Sequence, residues 1–104
     1  MSAEAKLAEL GIVLPTPGAP AGLYSPVVLS GNLLFVSGQI PVTDGAVLRV
    51  GKVGYDVSVE EGQVLARVCA INALSHVRGF LGSLDRVVQA VRVGGFVACT
   101  PGFT

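Results

Sequence analysis

Leu33, Leu34, Phe35 and Val36 follow one another without a polar break. A strand turns successive side chains to opposite faces, so a strand here is apolar on both and needs cover on both. Upstream, Val27 to Leu29 is a second apolar run, joined to the first by Ser30, Gly31 and Asn32. Gly-Asn at the centre of a two-residue loop predicts an antiparallel hairpin. Asp44 and Gly45 mark a further turn, and Val47 to Val50 reads as a short third strand. The period then changes. Val64, Leu65, Val68, Ile71 and Leu74 recur at three- and four-residue steps, with Glu60, Arg67, Ser75 and Arg78 largely outside the stripe. Ser58 and Glu61 form a capping box at the start of this helix, which should run about five turns and end between Gly79 and Gly82. Val87 to Val93 is mostly β-branched and reads as a strand, giving a strand, helix, strand order that suggests a crossover.

The ends of the chain are less regular. Ser2 can cap a short helix through Glu4, Leu7 and Leu10, stopped by Gly11, that adds little cover. Ile12 to Gly22 holds three prolines and two glycines and is expected to cross the surface extended. Phe96 to Thr104 stops abruptly after Pro101 and Gly102. The 104 residues are therefore expected to form a single domain truncated at the C-terminus. One long helix can cover only one sheet face, so another copy of the chain or further residues must cover the other.

Composition sharpens that expectation. Hydrophobic residues make up 51% of the chain and charged residues 13%, a surface too poor in charge for a comfortable monomer. The formal net charge is zero, Arg49, Arg67, Arg78, Arg86 and Arg92 are scattered, and tryptophan is absent. Neither a field nor a stacking platform for nucleic acid is visible, so nucleic-acid binding is not expected. The opening MSAEAKLAEL is acidic and lacks an apolar run, and no stretch approaches the roughly 20 apolar residues of a bilayer span. A cytoplasmic protein without membrane contact is expected.

Candidate chemistry is sparse. Cys69 and Cys99 lack metal-type spacing and read as small buried hydrophobes. His76, the only histidine, has no nucleophile or carboxylate beside it and reads as a surface or helix-end residue. Asp44, Asp56 and Asp85 sit at turns or helix approaches, where carboxylates accept backbone bonds. Ser37 lies outside any Gly-x-Ser-x-Gly elbow, and the glycines make neither a dinucleotide nor a phosphate-loop fingerprint. No metal or other cofactor is implied. What remains is a strand end with backbone groups, Tyr24, Ser37 and Gln39. For these three side chains, turn and strand-end hydrogen bonding and contact with a small polar ligand both stand open.

Tyr24-Ser25-Pro26, Ser30-Gly31-Asn32 and Phe35-Val36-Ser37-Gly38-Gln39-Ile40-Pro41 together resemble the RidA/YjgF family, also called the L-PSP endoribonuclease family. The resemblance continues through Asp56-Val57-Ser58, Asn72 and Leu84-Asp85-Arg86-Val87-Val88, and covers about residues 20 to 95. Lys6 to Gly11 and Gly51 to Gly54 look like a less characterised branch. The resemblance implies an α+β chorismate-mutase-like fold, a mixed sheet packed against helices, in a homotrimer with ligand clefts between subunits. It also implies a small-molecule function, hydrolysis of enamines and imines to 2-keto acids and ammonia, with a non-catalytic metabolite-binding trimer as the alternative. Endoribonuclease or translation-inhibitor activity, the family's older name, fits the neutral charge poorly. Tyr24 matches a pocket-lining tyrosine and Gly38 a backbone contact, with Ser37 and Gln39 beside them as ligand-binding candidates. The family's carboxylate-binding Arg and its Glu fall beyond Thr104, and Arg92 is not at the Arg position. The catalytic residues are thus unassigned, and these 104 residues alone are expected to be inactive. They are either a fragment of a chain of about 150 residues, by the usual size of domains, or a degenerate polypeptide.

Overall fold

The computed structural model describes residues 2–18, 22–23 and 25–104. The described elements run α1 (Ala3–Glu9), β1 (Val27–Ser30), β2 (Leu33–Val36), β3 (Val42–Thr43), β4 (Ala46–Val47), α2 (Val59–Leu81) and a 3₁₀ turn (Leu84–Arg86). β1 and β2 pair antiparallel with Val27 opposite Val36 and Ser30 opposite Leu33. Gly31 turns the chain at φ 60°, as a two-residue hairpin loop requires. β3 and β4 form a second antiparallel pair. Asp44 and Gly45 both have positive φ, at 53° and 80°, and this places the short strands at Val42–Thr43 and Ala46–Val47 rather than over Val47 to Val50.

The predicted capping box is present. Ser58 Oγ accepts from the Glu61 N–H at 3.0 Å, and Glu61 Oε1 accepts from the Ser58 N–H at 3.2 Å. From there α2 runs for 23 residues to Gly82, which closes it in the left-handed region at φ 86°, so it is longer than the five turns expected. It packs against β1, β2, β3 and the 3₁₀ turn. Its covered stripe runs through Leu65, Val68, Ile71, Asn72 and Ser75, whereas Val64 is 60% exposed. By length and composition alone, α2 could also cross a bilayer, although no uninterrupted apolar run suggests it. Within this fold it is the helix against which both hairpins rest.

Several expectations are corrected. α1 adds more than its length suggests: Leu7 is buried with Leu14 and Leu84, and Ile12, Ile71, Leu74 and Val77 pack around them. Glu4 fastens this cluster. Its carboxylate accepts from Arg78 at 2.6 and 3.2 Å and from the Leu84 N–H at 2.8 Å, while its own N–H donates to Asp85 Oδ1 at 2.9 Å. Leu10, expected on the apolar edge, is instead 56% exposed. Another correction concerns Val87 to Val93, which carries no ladder pairing among the described residues. Beyond that segment, Cys99 makes an isolated parallel bridge with Val53, through the Val53 N–H to Ala98 O and the Thr100 N–H to Val53 O. β-branched residues favour a strand only where a neighbouring edge accepts them. Cys69 and Cys99, expected to be buried, are free and only half-buried.

The apolar excess remains on the surface. On the hairpin, Val27, Leu29, Leu34 and Val36 share one face, of which Val27 is buried. Val28, Leu33 and Phe35 share the other and stay 51%, 46% and 58% exposed. The accessible surface is 7686 Å², against about 5,500 Å² for a compact monomer of this mass. Likewise the radius of gyration is 14.9 Å, against about 13 Å for a compact chain of this length.

Candidate functional site

The strand-end segment Ser37 to Val42 is fastened at both ends. At the first, the Ser37 N–H donates to Pro26 O at 2.9 Å. The Ser37 hydroxyl donates to Ser25 O at 2.8 Å, and Gln39 Nε2 folds back onto Ser37 O at 3.0 Å. Both polar side chains are half-buried and bonded to backbone carbonyls, Ser37 back to the segment before β1 and Gln39 within the loop, which is the turn and strand-end bonding role left open for them by the sequence. Tyr24 lies outside the described residues.

At the second end, the Val42 N–H donates to Ile40 O at 2.8 Å, a three-residue turn centred on Pro41, and the Leu48 N–H donates to Pro41 O at 2.9 Å. Asn72 Nδ2, on α2, donates to Ile40 O at 3.3 Å and Val42 O at 2.9 Å. The carbonyls of residues 40, 41 and 42 are thus all engaged. Proline at the centre of so tight a turn suits its fixed φ.

Between these ends sits Gly38, which is exposed. The Ser37 N–H, directed to Pro26 O, carries the bonding pattern of the ladder one residue past β2, and Gly38 follows it outside the ladder. The outer edge of β2 has no partner strand among the described residues. The structure therefore places an exposed backbone segment at the end of an open strand edge, next to side chains that are locked rather than reaching outward. A backbone N–H held in place is suited to donate to a carboxylate, carbonyl or phosphate oxygen. Nothing in the loop supplies a general base or nucleophile.

Elsewhere, two open recesses lie outside this loop. One, of about 430 Å³, is lined by Gly51, Lys52, Tyr55, Asp56, Thr100 and Pro101. Asp56 is already committed there, its Oδ1 accepting from the Lys52 N–H at 2.7 Å. The other, of about 390 Å³, brings His76 together with Pro17, Ser25, Pro26, Val27, Gly79 and Phe80. His76 has no carboxylate in that lining. Among the described residues, no three His, Cys, Asp or Glu side chains converge as metal ligands. Burial raises the thiol pKa of Cys69, which makes it less nucleophilic.

Two residues of consequence were not singled out by their sequence pattern. Asn72 interrupts the covered stripe of α2, and an amide at a core-facing helical position is the available signal, since it must find partners there. Glu4 carried only the generic signal of an acidic residue in a first helical turn.

Comparison with known proteins agrees with this architecture. Protein TCP17 of Trypanosoma cruzi is 44% identical over 100 residues, covering 96% of the chain and 62% of that protein. The crystal structure of Atu1372 from Agrobacterium tumefaciens, a protein of unknown function, superposes with a TM-score of 0.83 at 41% identity, over 97% of the chain and 60% of its own. A putative endoribonuclease from Shewanella oneidensis MR-1 superposes with a TM-score of 0.79 at 34% identity, over 86% of the chain and 59% of its own. The chain thus spans about three fifths of the length of these relatives. The YjgF/chorismate mutase-like, putative endoribonuclease family matches residues 4–101, and the chain belongs to that family.

Proposed function

We propose that this chain is the ligand-binding part of a RidA-like small-molecule protein. It acts as a homotrimer in the cytoplasm and takes 2-keto acids, or the imines and enamines that precede them, in clefts between subunits. The observation that carries this reading is the exposed backbone at Gly38, held between two fastened ends beside the open edge of β2. The uncovered face of Val28, Leu33 and Phe35 beside it supports an assembly in which other copies wall the cleft. The keto or carboxylate oxygen accepts from Gly38, Ser37 and Gln39 hold the donor's backbone, and Tyr24 lines the same cleft.

The Arg and Glu that the resemblance assigns to hydrolysis have no counterpart in these 104 residues. In our reading they bind without turnover, and deaminase activity belongs to a protein that carries both groups. The loop's lack of a base or nucleophile favours this division. Neutral overall charge weighs against the ribonuclease reading, since affinity for phosphate backbones rests on clustered positive charge.

Calorimetric titration with 2-oxobutyrate, run beside a turnover assay with 2-aminoacrylate supplied by a serine dehydratase, tests the proposal. Saturable binding is expected, with keto acid released no faster than in buffer. Absence of binding refutes the ligand assignment, and accelerated release refutes the division between binding and catalysis. Retention of single-stranded RNA on filters that weakens with salt would favour the ribonuclease reading instead.

A further inference from the structure

We infer that Asn72 is the positioning residue of the Ser37–Val42 loop: its carboxamide sets the backbone that presents Gly38, so a helix side chain governs a ligand site it does not touch. This deepens the function proposed above and rests on it for the identity of the ligand. Asn72 lies on the covered stripe of α2 between Ile71 and Ser75, at a position where an apolar residue would continue the pattern. An amide there loses water and must be compensated. Its partners are two carbonyls on either side of Pro41, Ile40 O at 3.3 Å and Val42 O at 2.9 Å. A carboxamide NH₂ has two donors and can serve both.

No other side chain among the described residues reaches these carbonyls. The remaining restraints are local, the Val42 N–H to Ile40 O and the Leu48 N–H to Pro41 O. Both stay within the loop and β4, and neither ties the loop to the helix. Asn72 is therefore the hydrogen-bonded link between the strand end and the rigid element beneath it. Ser75 provides the contrast. It is buried at 3% exposure on the same stripe, and its hydroxyl donates to Asn72 O at 2.9 Å, a bond internal to the helix. Removing it weakens the helix without touching the loop.

The test compares wild type, N72A, N72D, N72Q and S75A by amide hydrogen exchange and by titration with 2-oxobutyrate below the melting range. N72D keeps the shape but sets acceptors against two carbonyls, so it should disturb the loop more than N72A. N72Q retains the carboxamide and should restore part of the protection. Exchange at Val42 and Leu48 should accelerate about tenfold in N72A, the equivalent of one net hydrogen bond, with Gly82 at the far end of α2 unchanged. Affinity for 2-oxobutyrate should fall by a similar factor while S75A binds as wild type. Unchanged exchange at Val42 and Leu48, the same acceleration there in S75A, or acceleration spread evenly over the chain overturns the inference. If wild type does not bind 2-oxobutyrate, the ligand assignment fails, and the exchange result still decides the role of Asn72. Should the variants not fold, the wild-type carboxamide protons of Asn72 give the answer: slow exchange supports the link, and the rapid exchange of a free side-chain amide refutes it.

Discussion

Replacing Phe35 with Glu should abolish self-association while leaving the protomer folded. Phe35 stands 58% exposed on the hairpin face that α2 does not cover, leaving about 120 Å² of a side chain that can bury roughly 200 Å². At about 25 cal/mol per Å², covering it in an assembly is worth ~3 kcal/mol per copy. A glutamate forfeits that contribution in every copy and adds a desolvated charge. In the isolated protomer the same position already faces water, so the change there should stay within about 0.5 kcal/mol. Leu10, 56% exposed at the end of α1, is the control, because it lies away from the hairpin. Light scattering over a dilution series, read beside far-ultraviolet circular dichroism, should show wild type and L10E at the assembled mass and F35E at the mass of one chain, all with equal helix content. F35E assembling at wild-type concentrations would refute the assignment of this face. A well-folded wild-type protomer would refute the assembly itself.

Two further outcomes follow from the packing around α2. The Arg78 hydrogen bonds, then the Leu84 N–H, hold the Glu4 carboxyl below its ordinary pKa of 4.5; a depressed carboxylate stabilises the fold above its unfolded pKa and loses that contribution as pH falls through the folded value. The melting temperature of E4Q should therefore lie below wild type near pH 6, and the gap should close as pH drops below about 4; a gap constant with pH refutes the role given to the Glu4 charge. Gly54 has φ 94°, and a Cβ there would lie 2.6 Å from Thr100 Oγ1, so G54A should cost about 1–3 kcal/mol from the backbone conformation alone. Adding T100A should recover only the part due to contact, and a G54A melting curve identical to wild type would refute the strain.

What could be read from the residues alone, and what could not, divides along the range of the interactions. Ser58 and Glu61, Gly31 with Asn32, and Asp44 with Gly45 settle their structures with partners a few residues away, and each was legible. Val87 to Val93 has equally strong local preferences, yet its state depends on an edge that must come from elsewhere, so composition alone overstates it. The candidate site divides in the same way. Ser37, Gly38 and Gln39 stood out because small and polar residues closed an apolar run, but pattern could not reveal that Ser37 and Gln39 spend their bonds on the backbone carbonyls of Ser25 and Ser37. Nor could it show Asn72 reaching across 30 residues to Val42 or Glu4 reaching across 74 to Arg78, since neither pair shares an element. Asn72 left a trace, a polar group on the covered stripe of a helix, whereas Glu4 left only the generic one of an acid in a first helical turn. The open face of Val28, Leu33 and Phe35 is the reverse case, apolar groups where water should penalise them. Asn72 and Glu4, polar groups on helices, find their partners within the chain, whereas the apolar face of the hairpin stays open to water among the described residues.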